Sequence, residues 1–585
     1  MIAEYSLPAQ VDVLIVGGGA TGAGILRDLS RRGLHCLLVD KGDLGTGTSG
    51  RYHGLLHSGA RYVAKDPLAA RECIVENRVV RRIAPACVED TGGLFVATPD
   101  DPDDYVTEFP DRCAAAGIPC EEVSVADVFR REPALNRSIR RAFRVPDASL
   151  EPWQLIEANL RDAENRDSRA LPYRQVVEIE RNGAFISSVS VADVRSGTID
   201  RIAPRFVVSA AGAWAGRIAA LAGVRLDMAP GKGTMLVYNQ RMTDTVVNRC
   251  HVPGDGDIMV PVHTVAILGT TEISVPDPDI YDIERHEVAQ LVAEGEKLFP
   301  DLRNLRILRA YAGVRPLYSE EPSGSDGREI SRAHVVLDHE RRDGVTNFVS
   351  IVGGKLTTYR LMAQQTSDLV CQKIGVDAPS TTAAEVLPGQ GSERAYYWLG
   401  DRLSQHEATG GGDAALICEC EFVTRPALDR FLAENWPCSL DDVRRGTRLG
   451  MGPCQGAFCT FRAAGIVAEA IARRSLPAAE VGFVEPPPPA EPPPPAEPLG
   501  AIVGRDEPTR GDDAELAERA MVAFLRERYK GTRPVAWGRQ LQELWVATGI
   551  YWGTLGVDAF EGGADNGQGT AEASPRRVGG ARAAH

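Results

Sequence analysis

The sequence is poor in aromatic residues and cysteine, and it has no long uncharged apolar run. Phe, Trp and Tyr make up 6% of the 585 residues, and there are 12 cysteines. No apolar stretch reaches the roughly 18 residues that cross a bilayer. The first residues, MIAEYSLPAQVDVLIVGGG, lack the basic segment and apolar core of a secretory signal. We therefore expect no membrane span or signal peptide, and a reducing compartment rather than a disulfide framework.

The chain also lacks an excess of positive charge. Its 65 Lys and Arg face 80 Asp and Glu, which gives a formal net charge of −15. No basic block stands out from this acidic background, so the composition argues against nucleic-acid binding. With 43% hydrophobic residues, the chain is long enough to form several domains.

Changes in composition divide the chain into five segments. Mixed α/β patterning predicts a large first domain, and four of the cysteines cluster in a second segment. The run EPPPPAEPPPPAEP predicts an extended linker, because proline fixes φ and lacks an amide donor. Amphipathic runs then predict a C-terminal helical region, and a Gly-, Ala- and Arg-rich tail predicts disorder. The predicted segments are 10–395, 412–478, 484–510, 511–556 and 557–585.

The run VLIVGGGATG predicts a strand, a glycine turn and a helix. Gly17, Gly19 and Gly22 have the G-x-G-x-x-G spacing. The first glycine allows the tight turn, the second lets the backbone approach a pyrophosphate, and the third lets helix and strand pack closely. The helix N-terminus then offers free N–H groups to phosphate. Asp40 ends the next predicted strand, where an acid accepts ribose hydroxyls. The combination predicts a dinucleotide site.

Three features favour FAD over NAD as the dinucleotide. The motif lies near the N-terminus, the loop GTGTSGRYHGLLHSGARY follows it, and the runs VVSAAGAWAG and IVGGKLTTYR lie far downstream. The downstream runs suit one large ligand contacted by several distant segments, and a simple NAD domain would not need the last two runs. The predicted additional contacts are Thr48, Ser49, Ala211, Gly212, Gly354, Lys355 and Leu356.

These runs, together with GVRPL, GGKLTTYRLMA, the clustered cysteines and ERYKGTRPVAWG, resemble the FAD-dependent glycerol-3-phosphate dehydrogenases. The cysteine region and RYKGTRPVAWG resemble in particular the catalytic A subunits of the anaerobic branch. The resemblance spans residues 10–390, 416–470 and 515–555. It implies an α/β fold, with an FAD-binding Rossmann-like domain, an interleaved α+β substrate-capping subdomain, a small helical [2Fe–2S] domain and C-terminal helices. It also implies oxidation of sn-glycerol 3-phosphate to dihydroxyacetone phosphate by hydride transfer to flavin.

A phosphate dianion in a flavin pocket needs cationic partners. The candidates are Arg61 in SGARY, Arg315 in GVRPL and Lys355 in GGKLTT. Arginine suits bidentate phosphate contact, and lysine acts as a point charge. The resemblance implies that Arg61 and Lys355 hold the phosphate and that Arg315 sits near the reacting C2 hydroxyl. Tyr62, next to Arg61, lines the same pocket or only packs there.

The general base is predicted from a comparison of positions with the aerobic branch of the family. The aerobic branch of the family carries a histidine before the strand that here reads DIMVP, and Asp257 stands at that place. We hypothesise that Asp257 removes the proton of the C2 hydroxyl. His57 in LLHSG is the competing candidate, and His263 is a third.

Four cysteines form a C-x-C pair and a C-x-x-x-x-C pair separated by 33 residues. This spacing is neither that of a zinc ribbon nor that of a plant-type ferredoxin. It resembles the small helical [2Fe–2S] module named after bacterioferritin-associated ferredoxin, which implies a one-electron centre beside the flavin. Zinc-held and metal-free folds stay open as alternatives, and Cys438 is predicted to be structural. The ligand candidates are Cys418, Cys420, Cys454 and Cys459.

The last predicted helix contains Trp537, Trp545, Tyr551 and Trp552, and it either docks on the main body or faces a partner. The resemblance implies two partners, a B subunit that contains flavin and a C subunit that is an iron–sulfur membrane anchor, with quinone as the indirect acceptor. It also implies a peripheral location on the cytoplasmic face of the cell membrane. Two rival functions stay open: an FAD enzyme acting on an amino acid or 2-hydroxy acid, and a non-catalytic flavin/iron–sulfur protein of electron transfer.

Overall fold

The computed structural model describes residues 7–319, 333–389, 399–408, 415–435, 438–474 and 510–555. Within these ranges the predicted α/β fold is confirmed, because two large sheets and their helices form the main body. The predicted disordered tail, and all of the predicted Pro-rich linker except residue 510, lie outside the described residues.

The first sheet is built on a parallel core of buried strands. Its strands are β1 (Gln10–Val16), β2 (Cys36–Val39), β9 (Arg169–Leu171), β10 (Arg174–Asn182), β11 (Phe185–Asp193), β12 (Ile199–Ser209), β19 (His334–Asp338) and β20 (Phe348–Gly353). Their order is β10-β11-β12-β1-β2-β9, with β20 beside β12 and β19 beside β20. Strand β1 pairs in parallel with β2 and β12. Its residues Val13, Leu14 and Ile15 are fully buried, as expected for a parallel strand covered on both faces.

Helices cover this sheet and form its main hydrophobic core. They are α1 (Ala20–Arg31), α2 (Pro67–Ile83), α5 (Pro152–Glu164), α6 (Ala215–Leu221), α8 (His339–Asp343) and α9 (Tyr359–Ile374). Helix α1 packs against both α5 and α9. Its residues Ile25, Leu26 and Leu29 point into the core between these helices and the sheet. Helix α1 is therefore held from both sides, with its N-terminus just after the carboxyl end of β1.

A second, mostly antiparallel sheet comes from two chain segments inserted between parts of the first. Its strands are β5 (Gly93–Ala97), β6 (Glu121–Val123), β7 (Arg141–Val145), β13 (Gly231–Tyr238), β14 (Val246–Arg249), β15 (Ile258–Val262), β16 (Val265–Gly269), β17 (Ile273–Ser274) and β18 (Ile307–Arg315). Their order is β17-β13-β16-β15-β14-β5-β7-β6, with β18 beside β13. Helices α3 (Asp103–Ala115), α4 (Val125–Arg131) and α7 (Arg285–Gly295) accompany it, and short strands β3 (Leu55–Leu56), β4 (Val88–Glu89) and β8 (Ala148–Leu150) form a third sheet. This interleaving matches the predicted capping subdomain.

The cysteine region and the C-terminal helices share one hydrophobic core. Their elements are α10 (Leu399–Ala408), β21 (Leu416–Cys418), β22 (Val423–Thr424), α11 (Arg425–Glu434), α12 (Leu440–Thr447), α13 (Cys459–Arg474), α14 (Arg510–Thr532) and α15 (Gly538–Leu555). Phe524 and Leu525 of α14 are buried with Leu428, Val443 and Val467 of the cysteine region. Helix α14 therefore completes the fold of the cysteine region, although residues 475–509 separate the two in sequence.

Ion pairs and hydrogen bonds join the cysteine region to the first sheet. Arg445 Nε lies 2.6 Å from Asp43 Oδ2, and Tyr173 Oη donates to Asp442 Oδ1 over 2.7 Å. Asp43 belongs to the loop that follows β2. Since Arg445 is nearly buried, its charge depends on these acidic partners. They raise the pKa of the guanidinium against the effect of burial.

The glycine turn after β1 has no room for side chains. Gly17 has a φ of 115°, and a Cβ there would lie 2.4 Å from the carbonyl oxygen of Ala210. A Cβ on Gly22 would lie 1.9 Å from the carbonyl oxygen of Gly17. The turn and the first turn of α1 therefore touch through bare backbone.

We expect Gly22→Ala to lower both thermal stability and the amount of dinucleotide retained on purification, because the new methyl group must push α1 away from the turn. Gly465→Ala is the matched control, since a Cβ at this exposed position in α13 meets no atom within 4 Å. The control should gain roughly 0.5–1 kcal/mol of stability. Thermal unfolding and cofactor absorbance per chain test both variants. Full cofactor retention and an unchanged melting temperature in Gly22→Ala would contradict the packing argument.

Candidate functional site

A cavity of about 1050 Å³ runs from the glycine turn to the second sheet. Its volume lies at the upper end of the range for small-molecule and cofactor sites. Fourteen residues predicted from the sequence line it, and they come from segments far apart in the chain. They are Gly17, Gly19, Asp40, Thr48, Ser49, His57, Arg61, Tyr62, Ala211, Gly212, Arg315, Gly354, Lys355 and Leu356. Gly22, Asp257 and His263 do not line the cavity.

The end of the cavity at the first sheet is shaped by backbone N–H groups. Asp40 Oδ2 accepts from the amide of Gly18 over 2.7 Å, and Oδ1 accepts from the amide of Gly42 over 2.8 Å. Burial raises the pKa of Asp40, although both amide bonds favour its charged form. Ser49 Oγ accepts from the first amide of α1, that of Ala20, over 3.0 Å. Asp40 thus fixes the turn and keeps lone pairs for ribose hydroxyls.

The other end of the cavity gathers three cationic side chains. Arg61 Nη1 donates to Asn248 Oδ1 over 2.9 Å, and Nη2 donates to Asp257 Oδ1 over 2.8 Å. Lys355 Nζ lies 4.6 Å from the centre of the Tyr62 ring, a cation–π contact that holds the ammonium group over the ring. Arg315 lies at the end of β18 in the same cavity. An anionic ligand group is therefore favoured at this end.

Asp257 supports Arg61 and does not line the cavity. It is fully buried, and its Oδ2 accepts from the amide of Gly254 over 2.7 Å. Its role as general base stays a prediction, and these contacts favour a positioning role instead. His263 is also buried. Its Nε2 lies 3.5 Å from Glu151 Oε2, and both residues lie beside the cysteine region.

Two histidines lie among the three cations. Burial lowers the pKa of His57 well below its usual value, and His53, Arg61 and Lys355 lower it further. Burial likewise lowers the pKa of His53 to about 3, with added repulsion from Arg61 and Arg315. Both imidazoles are therefore neutral near pH 7, and a neutral imidazole can accept a proton. His53 was not predicted from the sequence, although it lies four residues before His57 in the same loop.

Glu272 is a second cavity residue that was not predicted from the sequence. Its Oε2 lies 2.7 Å from Arg315 Nη1. Arg315 Nη2 also donates to the carbonyl oxygen of Thr271 over 3.1 Å and to the hydroxyl of Thr270. Only the run GTTE after β16 could have indicated an acid here, and nothing in it points to Arg315 some forty residues later.

The four candidate ligand cysteines form two adjacent thiol pairs. Cys418 is hydrogen-bonded to Cys459, and Cys420 to Cys454. The contact with Cys459, helped by the amides of Gly450 and Glu421, lowers the pKa of the Cys418 thiol to about 6. Burial raises the pKa of Cys420 to about 11. As placed, no group of three or more His, Cys, Asp or Glu in the described ranges encloses a metal position.

The buried Arg528 lies near Cys459, and Arg309 lies beside Arg528. Burial lowers the pKa of Arg528 well below its usual value, with repulsion from Arg309 and Arg444. Burial also lowers the pKa of Arg309 to about 10. Within the described residues, the Nε atoms of Arg309 and Arg528 have no hydrogen-bond partner. Arg528 Nη2 does donate to Gln455 Oε1, in the loop that carries Cys454. A site rich in buried, incompletely paired positive charge favours an anionic occupant, and a four-thiolate centre is anionic.

Comparison with known proteins places the chain in a family. Residues 12–369 match the family model described as FAD dependent oxidoreductase. The chain belongs to the FAD-dependent oxidoreductase family. It is 39% identical over 569 residues to the A subunit of the anaerobic glycerol-3-phosphate dehydrogenase of Escherichia coli (strain K12), covering 94% of this chain and 97% of that one. It is also 39% identical over 580 residues to the A1 subunit of the anaerobic glycerol-3-phosphate dehydrogenase of Haloferax volcanii, covering 94% and 92%.

Solved structures of the FAD-dependent oxidoreductase family share the fold. The glycerol-3-phosphate dehydrogenase from Bacillus halodurans, complexed with FAD, is 22% identical with a TM-score of 0.50 and covers 81% of each chain. The FAD-bound L-α-glycerophosphate oxidase from Mycoplasma pneumoniae is 19% identical with a TM-score of 0.53, covering 65% of this chain and 99% of that one. The match to the FAD dependent oxidoreductase model confirms FAD, which the glycine motif, the loop after it and the downstream runs predict, as the cofactor. None of the helices in the described ranges is long and apolar enough to cross a membrane.

Proposed function

We propose that this protein oxidises sn-glycerol 3-phosphate to dihydroxyacetone phosphate and passes the electrons through an iron–sulfur centre to a membrane quinone pool. The cationic end of the flavin cavity, formed by Arg61, Lys355 and Arg315, carries the proposal. The names of the two similar A subunits support it. An amino acid or 2-hydroxy acid needs one cation for its carboxylate, whereas a phosphate dianion uses two.

Different residues at this end bind the phosphate and orient the reacting hydroxyl of the substrate. Arg61 and Lys355 hold the phosphate, and Tyr62 keeps the Lys355 ammonium in place through its ring. Arg315 orients the C2 hydroxyl. Bound FAD supplies the hydride acceptor, and the protein supplies position and charge. The low exposure of Arg61 and Asp257 strengthens the contacts by excluding water.

His57 is the favoured base for the C2 hydroxyl. It lines the cavity, its imidazole is neutral, and it lies beside Tyr62 with ring centroids 5.3 Å apart. Asp257 has neither cavity access nor an oxygen without a described partner. In this arrangement Asp257 fixes the Arg61 guanidinium, and His57 takes the proton.

Two substitutions separate these roles. We expect His57→Gln to slow flavin reduction about 10²–10⁴-fold while dihydroxyacetone phosphate still binds. Asp257→Asn should raise KM with little change in kcat, because it removes a support of the phosphate site. Because the low pKa of His57 keeps it neutral, the wild-type reduction rate should stay level as the pH falls through 6.5. Anaerobic stopped-flow reduction measures all three. Lost reduction with intact binding in Asp257→Asn would make Asp257 the base instead.

The cysteine region fits a [2Fe–2S] centre held by Cys418, Cys420, Cys454 and Cys459. The adjacency of the two thiol pairs and the incompletely paired guanidinium groups of Arg309 and Arg528 support this assignment. Cys438 is buried in the hydrophobic core. A one-electron centre lets a two-electron flavin deliver electrons singly to a downstream chain.

The exposed face of α15 is the surface proposed for the partner subunits. Leu541, Trp545 and Val546 are exposed there, with Trp545 75% exposed, and the exposed Trp537 directly precedes the helix. The partners implied by the resemblance are the flavin-containing B subunit, together with the iron–sulfur membrane-anchor C subunit. Such contacts would hold the chain peripherally on the cytoplasmic face of the cell membrane. The side chains of Tyr551 and Trp552 lie outside the described residues.

Anaerobic visible spectroscopy of the purified protein, with iron and zinc assayed on the same sample, tests the function. We expect sn-glycerol 3-phosphate to bleach the oxidised flavin band, with about two iron atoms per chain. Bleaching in protein that contains zinc or no metal would support the dehydrogenase activity and rule out the iron–sulfur cluster. An unbleached band in folded, FAD-loaded protein would favour an amino acid or 2-hydroxy acid substrate, or a protein of electron transfer alone.

Removing the buried charge of Arg528 should lower the reduction potential of the centre, because reduction adds negative charge beside that guanidinium. We therefore expect a lower midpoint potential in Arg528→Gln and a wild-type value in Arg528→Lys, measured by redox titration followed by electron paramagnetic resonance. Lys530→Gln is the control, since Lys530 is exposed on the same helix. An unchanged potential in iron-loaded Arg528→Gln would show that this charge does not act on the centre.

A further inference from the structure

Arg315 is paired with a buried carboxylate inside the flavin cavity. Glu272 Oε2 lies 2.7 Å from Arg315 Nη1, and the Glu272 side chain is only 5% exposed. Both side chains line the cavity that also contains Arg61 and Lys355. The pair is close to neutral as a unit, so this part of the cavity differs in charge from the proposed phosphate site.

Two glycines of β13 make room for this pair. Gly231 lies opposite Arg315 in the register of β13 and β18, and Gly233 lies opposite Gly313. A Cβ on Gly231 would lie 2.1 Å from Glu272 Oε1, and a Cβ on Gly233 would lie 2.6 Å from Arg315 Nη2. Since alternate residues of a strand share a face, the run GKG opens a slot on one face of β13 that the ion pair fills.

The residue between these glycines anchors the segment from the opposite face. Lys232 Nζ donates to Glu287 Oε2 over 2.8 Å. Glu287 Oε1 accepts from Thr234 over 2.7 Å and from Thr271 over 3.3 Å. Thr271 precedes Glu272 in the chain, so this buried network fixes the backbone from which the Glu272 carboxylate reaches Arg315.

The charge of Glu272 decides which ligand groups can bind beside Arg315. An arginine without an acidic partner would bind the carboxylate of an amino acid or a 2-hydroxy acid. Beside Glu272, a ligand carboxylate meets a like charge in a poorly solvated site, which is strongly unfavourable. A hydroxymethyl group meets no repulsion, and its O–H can donate to the Glu272 carboxylate.

We propose that Glu272 is a specificity-determining residue that selects a neutral hydroxymethyl group at C1 of the substrate and rejects a carboxylate there. The inference rests on the proposed function and adds the recognition of the end of the substrate that is distant from the phosphate. Glu272 acts through its own carboxylate on the C1 group, and Arg315 remains the donor to the C2 oxygen.

Two phosphorylated ligands that differ in the C1 group test this proposal. Dihydroxyacetone phosphate carries a hydroxymethyl group at C1, and racemic 3-phosphoglycerate carries a carboxylate there. Their dissociation constants are measured on the oxidised, FAD-loaded enzyme from the perturbation of the flavin spectrum. Both ligands contain the phosphate, and they also differ at C2, where one has a ketone and the other a hydroxyl. Because the C2 difference is the same for every variant, the change in the ratio between wild type and a Glu272 variant isolates the effect of Glu272 on the C1 end.

We expect wild-type enzyme to bind dihydroxyacetone phosphate at least about tenfold more tightly than 3-phosphoglycerate. Glu272→Gln keeps a hydrogen-bonding group and removes the charge, so the preference should fall at least about tenfold. Glu272→Asp keeps the charge and should keep most of the preference. FAD content and the visible spectrum of each variant report whether the site is intact.

Several outcomes would overturn the proposal. An unchanged ratio in FAD-loaded Glu272→Gln would do so. Lost flavin reduction with an unchanged ratio in Glu272→Gln would mean that Glu272 is the base rather than the selector. If sn-glycerol 3-phosphate fails to bleach the wild-type flavin, the proposed function itself fails, and this inference falls with it.

Discussion

Positive charge held away from water must meet negative charge, and the arrangement of both sites follows from that constraint. At the flavin cavity Arg61 is held by Asp257 and Arg315 by Glu272. These acids fix the guanidinium groups and offset part of the positive charge of the cavity. Beside the cysteines, Arg528 meets fewer partners among the described residues, and there the proposed anionic centre supplies the counter-charge.

Strand β18 is the element that links the two sites. Its last residue, Arg315, lies in the flavin cavity, while Arg309 lies beside Arg528 at the cysteine region. Between them, Tyr311 donates to the carbonyl oxygen of Tyr52, which also lines the cavity. A strand is stiff along its length, so the second sheet, which contains β18, sets the distance between the two sites. Helix α14 packs on the same strand, which makes the C-terminal region part of this link.

Much of the first domain could be predicted from sequence because its determinants are local. The apolar run of β1, the glycines of the turn and the N-terminus of α1 are contiguous, and each imposes one backbone conformation. The distant contacts Ala211, Gly212, Gly354 and Leu356 also lie in the cavity, as expected from runs in which a buried strand enters a glycine turn. Such residues can be placed from sequence because a strand followed by glycine has few alternatives in an α/β fold.

Residues whose roles depend on partners distant in sequence could not be assigned in this way. The hypothesis that Asp257 is the base follows from its position, where the aerobic branch carries a histidine, yet its side chain contacts Arg61, nearly two hundred residues earlier. Neither Glu272 nor His53 lies in a recognisable spacing, so the sequence does not indicate a role for either residue.

By itself, the sequence determined the dinucleotide fold, the cationic residue types and the four cysteines, since local backbone sterics and residue chemistry specify these. Only the tertiary structure decided which acid compensates which arginine and that α14 completes the cysteine region. Those choices depend on long-range packing and on charge in a low-dielectric interior, where a few ångströms determine whether two groups interact.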